Sequence, residues 1–276
     1  MELLREWEQC AAVAPGQEQD AIDDAVNRAL TWREIERHLE GVETVLVVGA
    51  GLGAFSIPLA ERGYQVTHFD SSLANLAIAQ QEADGIESIS FVEGNATDLY
   101  RFPNRSFDLV LNLDGEISNT GAGAEQALRE SCRVVGGTLI VTVINRAQLV
   151  TAAASASLEE TGGVSSPVYV VFDNGEWQQK PTSGNSPGQD DAGLLKAFLA
   201  AELRAILDDA DLDIWRVGAL GSLVSLCSID AIHRACESTT IFEEFVTLCD
   251  RFDHEILPDG PGSRRRPGLI GVAKRP

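Results

Sequence analysis

The residues from Val45 to Asp70, VLVVGAGLGAFSIPLAERGYQVTHFD, constrain the fold more than any other part of the chain. An apolar run leads into glycines at three alternate positions. A helical stretch and a second predicted strand follow. A glycine-rich turn between a strand and a helix lets the backbone approach a ligand closely and points the amides of the helix start at it. The stretch therefore predicts a strand–turn–helix–strand unit that holds a nucleotide-like cofactor, with Asp70 ending the second strand.

The same alternation of strands and helices continues to about residue 145. Apolar runs predict further strands at Ile89–Glu93, in FDLVLNLD and in TLIVTVIN, and a helix covers Ala124–Val134 between the last two. Near the C-terminus, FLAAELRAILDDADLDIWRVGAL predicts a helix and then a strand, and LIGVA predicts a final strand. Strands that alternate with helices at short spacings indicate right-handed βαβ units and a largely parallel α/β sheet.

Two regions do not follow this alternation. Residues 2–40 predict helices, where Thr31 and Glu34 fit the N-cap and the third position of a capping box. Residues 161–192 are rich in Gly, Ser, Pro, Asn and Asp and predict an active-site cover or a mobile loop. We therefore expect an N-terminal helical cap (1–40) and one domain (41–276) that carries an insertion at about 150–195, after the fifth strand.

The net charge and the cysteines limit which partners and which cellular compartment are expected. The formal net charge is -21, which repels nucleic acid phosphates and anionic membranes, so neither is expected as a partner. No apolar run is long enough for a membrane span, and the start of the chain does not resemble a signal peptide. Five cysteines without a C-x-x-C pair predict a reduced, cytoplasmic chain, and the sequence leaves a homodimer possible.

Taken alone, the glycine turn is compatible with two classes of cofactor. Gly49, Gly51 and Ala54 satisfy the dinucleotide fingerprint G-x-G-x-x-G/A, and Asp70 stands where that fingerprint places its ribose-binding acid. An NAD(P)-dependent oxidoreductase is therefore one interpretation. A protein that binds S-adenosylmethionine (SAM) is the other.

Three downstream segments favour SAM. GNATDL, SFDLVLNLD and ALRESCRVVGGTLIVTVINR follow the glycine turn in that order. Together with the turn, over about residues 30–146, they resemble the class I SAM-dependent methyltransferases. The resemblance implies a doubly wound, Rossmann-like, mostly parallel sheet of about seven strands with the last strand antiparallel. It also implies SAM as the cofactor and methyl transfer to an O or N atom of a small-molecule acceptor.

The resemblance also implies a set of cofactor-binding residues. Gly49, Ala50, Gly51 and Gly53 would line the methionine part, Asp70 with Ser71 beside it would hold the ribose, Asn95 and Ala96 would meet the adenine, and Asn112 would border the sulfonium. The family often has an acid two residues before the first glycine, which helps to hold the amino group of the cofactor, and this chain has Val47 at that position. This departure leaves a non-catalytic SAM-binding protein as an alternative. A SAM-dependent reaction other than methylation is a further alternative.

The ends of the fourth and fifth strands supply candidates for the chemistry. Asp114 and Glu116 could act as the base that deprotonates the acceptor. Asn145 and Arg146 would face the same cleft and bind the substrate, because Arg can hold a carboxylate bidentately. No metal is expected. Oxygen ligands are too few here for magnesium, and the spacing of His233, Cys236, Cys249 and His254 matches no usual zinc motif.

Overall fold

The computed structural model describes residues 18–178, 193–263 and 267–276. The helices predicted before residue 18 and the middle of the predicted cover lie outside these ranges, as does the side chain of His233. Among the described residues, no helix is both long enough and apolar enough to cross a membrane.

A seven-stranded sheet forms the centre of the molecule. Its strands are β1 (Thr44–Val48), β2 (Gln65–Asp70), β3 (Ile89–Glu93), β4 (Phe107–Asn112), β5 (Val135–Val143), β8 (Asp213–Ala219) and β9 (Leu269–Lys274). They run in the order β3-β2-β1-β4-β5-β9-β8, and every pair is parallel except those made by β9, which is antiparallel to both neighbours. The predicted doubly wound sheet, with its antiparallel last strand, is confirmed.

Helices flank this sheet, and a separate two-stranded ribbon lies in the insertion. The α-helices are α1 (Glu18–Glu36), α2 (Ser56–Glu61), α3 (Leu73–Glu82), α4 (Glu116–Asn119), α5 (Ala124–Val134), α6 (Arg146–Thr161), α7 (Ser166–Asn174), α8 (Ala200–Asp209), α9 (Ser222–Leu226), α10 (Ile229–Ala235) and α11 (Thr239–Arg251). The ribbon pairs β6 (Glu176–Gln178) with β7 (Leu194–Lys196) in the antiparallel sense. A π-helical turn, Phe252–Ile256, follows α11.

Two apolar cores lie on the two faces of the sheet. In the first, Trp32 of α1 packs with Phe55, their ring centroids 5.3 Å apart, and with buried residues of β1 and β4 such as Val45 and Leu109. In the second, Leu128 of α5 and Leu203 of α8 cover the opposite face. Helix α1 is thus part of the main core of the molecule, and the boundary at residue 40 stays a prediction.

Three local predictions are wrong. Thr31 does not cap a helix, because α1 continues through it and its hydroxyl donates to the carbonyl of Asn27 at 2.9 Å. The paired glycines of VVGG predict a turn between α5 and β5, but β5 begins at Val135 directly after α5. A Cβ on Gly137 would lie 2.2 Å from the carbonyl oxygen of Asp108, so glycine here permits a close approach of β4. The apolar piece VYVVF lies in helix α7 and not in a loop.

The cysteines depart from the expected reduced state at one position. Cys132, Cys227 and Cys249 carry free thiols, whereas Cys236 is disulfide-bonded. The prediction rested on cysteine count and local spacing. Neither of these shows whether a given cysteine is bonded in the folded chain.

A buried ion-pair network joins α1 to the far side of the molecule. The Glu34 carboxylate accepts hydrogen bonds from Arg37, just after the end of α1, at 2.8 Å and from Arg216 of β8 at 3.0 Å, and it lies 3.2 Å from His38 Nε2. Burial favours the neutral acid. The His38 hydrogen bond and the charges of Arg216 and Arg37 outweigh it and lower the pKa of Glu34 from 4.5 to about 2.

The depressed pKa of Glu34 predicts a pH-dependent contribution to stability. The contribution is present above pH 4.5 and is lost as the pH falls towards 2, because the unfolded chain binds the proton first. Glu34→Gln is expected to lower the free energy of unfolding at pH 7 by about 3 kcal/mol and to flatten its pH dependence below 5. Denaturant titrations from pH 3 to 7 test this. Glu36→Gln, in the half-exposed pair with Arg62, is the matched control and should change little.

Candidate functional site

The glycine turn follows β1 and opens a cavity at the carboxyl edge of the sheet. Gly49, Gly51 and Gly53 have φ angles of 64°, 57° and 97°, a region that favours glycine. The cavity has a volume of about 310 Å³. Its lining comes from the turn, the end of β2, the start of α3 and the loop after β4: Val47, Val48, Gly49, Ala50, Gly51, Leu52, Ala54, Phe55, Asp70, Ser71, Ser72, Asn75, Leu113, Asp114, Glu116 and Asn119.

Asp70 ties the glycine turn to the start of α3. One carboxylate oxygen accepts from the Gly51 amide at 2.7 Å, and the other accepts from the Ser72 amide at 2.8 Å and from Asn75 Nδ2 at 3.4 Å. The residue is only 6% exposed. These bonds fix the conformation of the turn, and each carboxylate oxygen keeps further acceptor capacity for a ligand.

Glu116 reaches the cavity through an unusual turn after β4. Asp114 and Gly115 both have positive φ angles, 54° and 78°, and the Glu116 amide donates to the Leu113 carbonyl at 3.2 Å. The Glu116 side chain consequently lies against Gly49, where a Cβ would be 2.3 Å from Glu116 Cγ. Burial, assisted by the charge of Asp70, raises the pKa of the Glu116 carboxyl above its usual value.

The charges around the cavity have one sign. Asp70, Asp114 and Glu116 line it, and its lining contains no Lys, Arg or His. At short range and in a partly buried site, such a field attracts cations and repels phosphate groups. The cavity therefore favours a ligand that carries positive charge.

The structure brings most of the predicted residues together at this cavity. Seven of them line it: Gly49, Ala50, Gly51, Asp70, Ser71, Asp114 and Glu116. Gly53 stands behind the turn, because the space of its missing side chain is filled by Ile57. Asn95 is exposed and accepts from the amide and hydroxyl of Thr97, whereas Ala96 is buried in the second core. Neither of these two residues lines the cavity.

Three further predicted residues are engaged elsewhere. Asn112 is fully buried and donates from Nδ2 to Ser131 of α5 at 3.1 Å, away from the cavity. Asn145 caps α6 by accepting from the Ala147 amide at 3.0 Å, and it donates to the Gly260 carbonyl at 3.0 Å. Their polar groups serve packing and helix capping, which sequence position alone does not reveal.

Arg146 makes an internal ion pair. Its Nη2 donates to both carboxylate oxygens of Glu202 at 2.6 Å, and only 6% of its side chain is exposed. It nevertheless lines a second cavity of about 470 Å³, which is mostly apolar. The lining of this second cavity consists of Arg146, Ala147, Val150, Phe172, Asp173 and Leu199.

Several lining residues were not predicted from the sequence. Ser72, Asn75 and Asn119 add polar groups to the first cavity, and Leu52 and Phe55 add apolar surface. Ser72 did carry a signal, because it precedes an apolar helix and accepts from the Asn75 amide as its N-cap. Phe172 and Leu199 of the second cavity could not be assigned from sequence. Among the described residues, no group of three or more His, Cys, Asp or Glu side chains is arranged to hold a metal ion.

The sheet order, the glycine turn and the acid ending β2 define a cofactor-binding α/β protein with a Rossmann-like methyltransferase fold. A family model described as "Methyltransferase domain" matches residues 45–137, which span the glycine turn through the start of β5. Over these residues the chain is similar to the SAM-dependent methyltransferases, and SAM is the cofactor that this similarity indicates.

Curated relatives and solved structures agree with this placement. The chain is 36% identical over 115 residues to a ubiquinone biosynthesis O-methyltransferase of Maricaulis maris, an alignment of 40% of this chain and 44% of that protein. It is 28% identical over 227 residues to a demethylmenaquinone methyltransferase of Renibacterium salmoninarum, 78% and 86% of the two chains. The magnesium protoporphyrin IX methyltransferase of Synechocystis, solved with bound S-adenosylhomocysteine (SAH), shares the fold at a TM-score of 0.54 and 17% identity, with 99% and 94% covered.

Proposed function

We propose that this chain transfers the methyl group of SAM to an O or N atom of a small-molecule acceptor. The observation that carries the proposal is the one-signed charge of the first cavity, with three carboxylates and no cationic side chain. SAM has a sulfonium and an ammonium group, which suit this field. The pyrophosphate of a dinucleotide would lie beside Asp70 and Glu116 without a counter-charge. When bound, SAM supplies an activated methyl group.

The residues of the first cavity divide between positioning and proton transfer. The glycine turn admits the methionine part closely, and Asp70 accepts hydrogen bonds from the ribose hydroxyls with its remaining lone pairs. Ser71 and Asn75 extend the cavity beyond Asp70, on the side where the adenine of the cofactor would lie. Asp114 is exposed at the rim and is the group we assign to take the proton from the acceptor.

The second cavity supports an apolar, ring-containing acceptor. Val150, Phe172 and Leu199 give it a mostly apolar lining, and Arg146 places it next to the end of β5, at the same sheet edge as the first cavity. The names of two curated relatives refer to quinones, which are apolar rings with polar oxygens. We therefore assign the second cavity to the ring or side chain of the acceptor.

A direct comparison of ligands tests the cofactor part of the proposal. Calorimetry with SAH, SAM and NADH at matched concentrations is expected to show binding of the first two and none of the third. Incubation with SAM and either catechol or 1,4-naphthohydroquinone should then release SAH. Binding of NADH alone would reverse the proposal, and tight SAH binding without turnover of any acceptor would favour the non-catalytic alternative.

Phe172→Ala tests the acceptor cavity. Phe172 is 64% exposed, so its removal should not unfold the chain, but it deletes the largest apolar surface of the second cavity. We expect KM for the hydroquinone acceptor to rise about fivefold or more, with the Kd of SAH unchanged. Tyr169→Ala on the same helix is the matched control, since Tyr169 is 58% exposed and does not line the cavity. Equal effects of the two substitutions would contradict the assignment.

A further inference from the structure

The Glu116 carboxylate has no counter-ion in the described part of the chain. No hydrogen bond to its oxygens and no ion pair is found among the described residues, although the side chain is largely shielded from water by the glycine turn. A half-buried carboxylate without a partner is costly and is normally paired. The cavity into which it faces is the one that the proposed function assigns to SAM.

We propose that Glu116 binds the α-ammonium group of the cofactor and so replaces the acid that this chain lacks at Val47. The inference rests on the proposed function and deepens it by naming the residue that recognises the amino-acid end of SAM. It also reassigns Glu116, which the sequence predicted as a candidate base, from the acceptor to the cofactor.

The backbone after β4 is built to deliver this side chain. A left-handed conformation costs a residue with a Cβ roughly 1–2 kcal/mol, and Asp114 adopts it at φ 54° immediately before Gly115 at φ 78°. A Cβ added at Gly115 would lie 3.0 Å from Pro267 Cγ, so both the space and the positive φ favour glycine here. Because Asp114 and Gly115 are both left-handed, the Glu116 side chain turns back over Gly49.

Gly49 is the point where the amino-acid end of the cofactor would meet the turn. It directly follows β1, and its missing side chain leaves the space that Glu116 occupies. The side chain of Val47, two residues earlier, is buried in the first core and offers no charge. Glu116 therefore brings a carboxylate to this part of the cavity from a different strand.

Asp70 does not fill the same role. Its two oxygens already accept from the amides of Gly51 and Ser72, and these bonds spread its charge over the glycine turn. Asp70 and Asp114 are the charged groups that share the cavity lining with Glu116, and both are acids. An ammonium group beside Glu116 would relieve the repulsion within this set.

The test compares two ligands on wild type and Glu116→Gln. SAH carries the α-ammonium group, and 5′-methylthioadenosine lacks the whole amino-acid end. By calorimetry, we expect Glu116→Gln to weaken SAH about tenfold or more and to leave 5′-methylthioadenosine within about twofold. From pH 7.5 to 5, SAH affinity of the wild type should fall as Glu116 takes up a proton, and that of Glu116→Gln should fall less.

Control measurements separate an effect of Glu116 on SAH binding from a loss of stability and from a failure of the proposed function. Thermal unfolding of ligand-free Glu116→Gln should match or exceed the wild type, because the substitution removes repulsion with Asp70. Glu237→Gln removes the same charge from an exposed position far along the chain and should not change SAH binding. If the wild type binds no SAH, the proposed function fails. If the wild type binds SAH and Glu116→Gln weakens both ligands equally or neither, this inference alone is overturned.

Discussion

Replacing Gly49 by alanine is expected to destabilise the ligand-free protein and to abolish binding of SAH. Two effects add at this position. Alanine at φ 64° costs roughly 1–2 kcal/mol, because left-handed backbone crowds its Cβ. The new methyl would also lie 2.3 Å from Glu116 Cγ, an overlap that forces the loop after β4 to move and that costs roughly 1–3 kcal/mol more.

Gly51→Ala is the matched control for this prediction. Gly51 has a similar φ of 57°, but a Cβ there meets no atom within 4 Å. Urea unfolding should therefore show the smaller, left-handed cost for Gly51→Ala and a clearly larger loss for Gly49→Ala. Adding Glu116→Ala to Gly49→Ala should recover part of the difference, since it deletes Glu116 Cγ and Cδ and leaves only the overlap with Cβ at 2.7 Å. Equal losses in the two single variants, without recovery in the double variant, would show that Glu116 does not lie over Gly49.

The sheet was predictable because its strands are short, buried apolar runs. Val45–Val48 is covered on both faces, so it stays apolar without alternation, as a parallel strand does. Glycine turns and capping serines between the strands mark where each helix begins. The doubly wound arrangement and the antiparallel last strand came from the family resemblance, and the observed strand order and directions agree with them.

Local sequence signals failed where tertiary packing decides. The pattern at Thr31 fits a cap, but Trp32 and Ile35 are buried in the core and the helix continues through them. VYVVF lies in a segment whose composition predicts an active-site cover or a mobile loop, yet Pro167 in the first turn is typical of the start of a helix. Propensity is a weak guide over so short a run.

The candidate site was predictable only as far as strand ends define it. Asp70 could be placed because it ends a strand beside the glycine turn. The position of Glu116 over Gly49 depends on two successive left-handed residues. The Asp114-Gly115 pair is typical of such a turn, but it does not show that the turn brings the next side chain over Gly49. Arg146 is bound by Glu202, which lies 56 residues further along the chain, a pairing that spacing cannot reveal.

Asp70→Asn is expected to weaken SAH binding by about a hundredfold. An amide offers one acceptor oxygen, whereas the Asp70 carboxylate accepts from Gly51 at 2.7 Å with one oxygen and from Ser72 at 2.8 Å with the other. One of these two amides would lose its partner, which costs roughly 1–3 kcal/mol, and the contact to the ribose would weaken as well. Calorimetry with SAH measures the total loss of binding free energy. Asp98→Asn is the matched control, because the Asp98 carboxylate accepts from the Tyr100 amide at an exposed site.

A second ligand separates the ribose contact from the shaping of the turn. If Asp70 accepts from the ribose, 2′-deoxy-SAH should bind the wild type several-fold more weakly than SAH, and this difference should shrink in Asp70→Asn because the acceptor is impaired in both complexes. A difference of the same size in both proteins would mean that Asp70 only fixes the conformation of the turn. The ribose would then be recognised by another group of the cavity, and Ser71 and Asn75 are the polar side chains placed next to Asp70 in its lining.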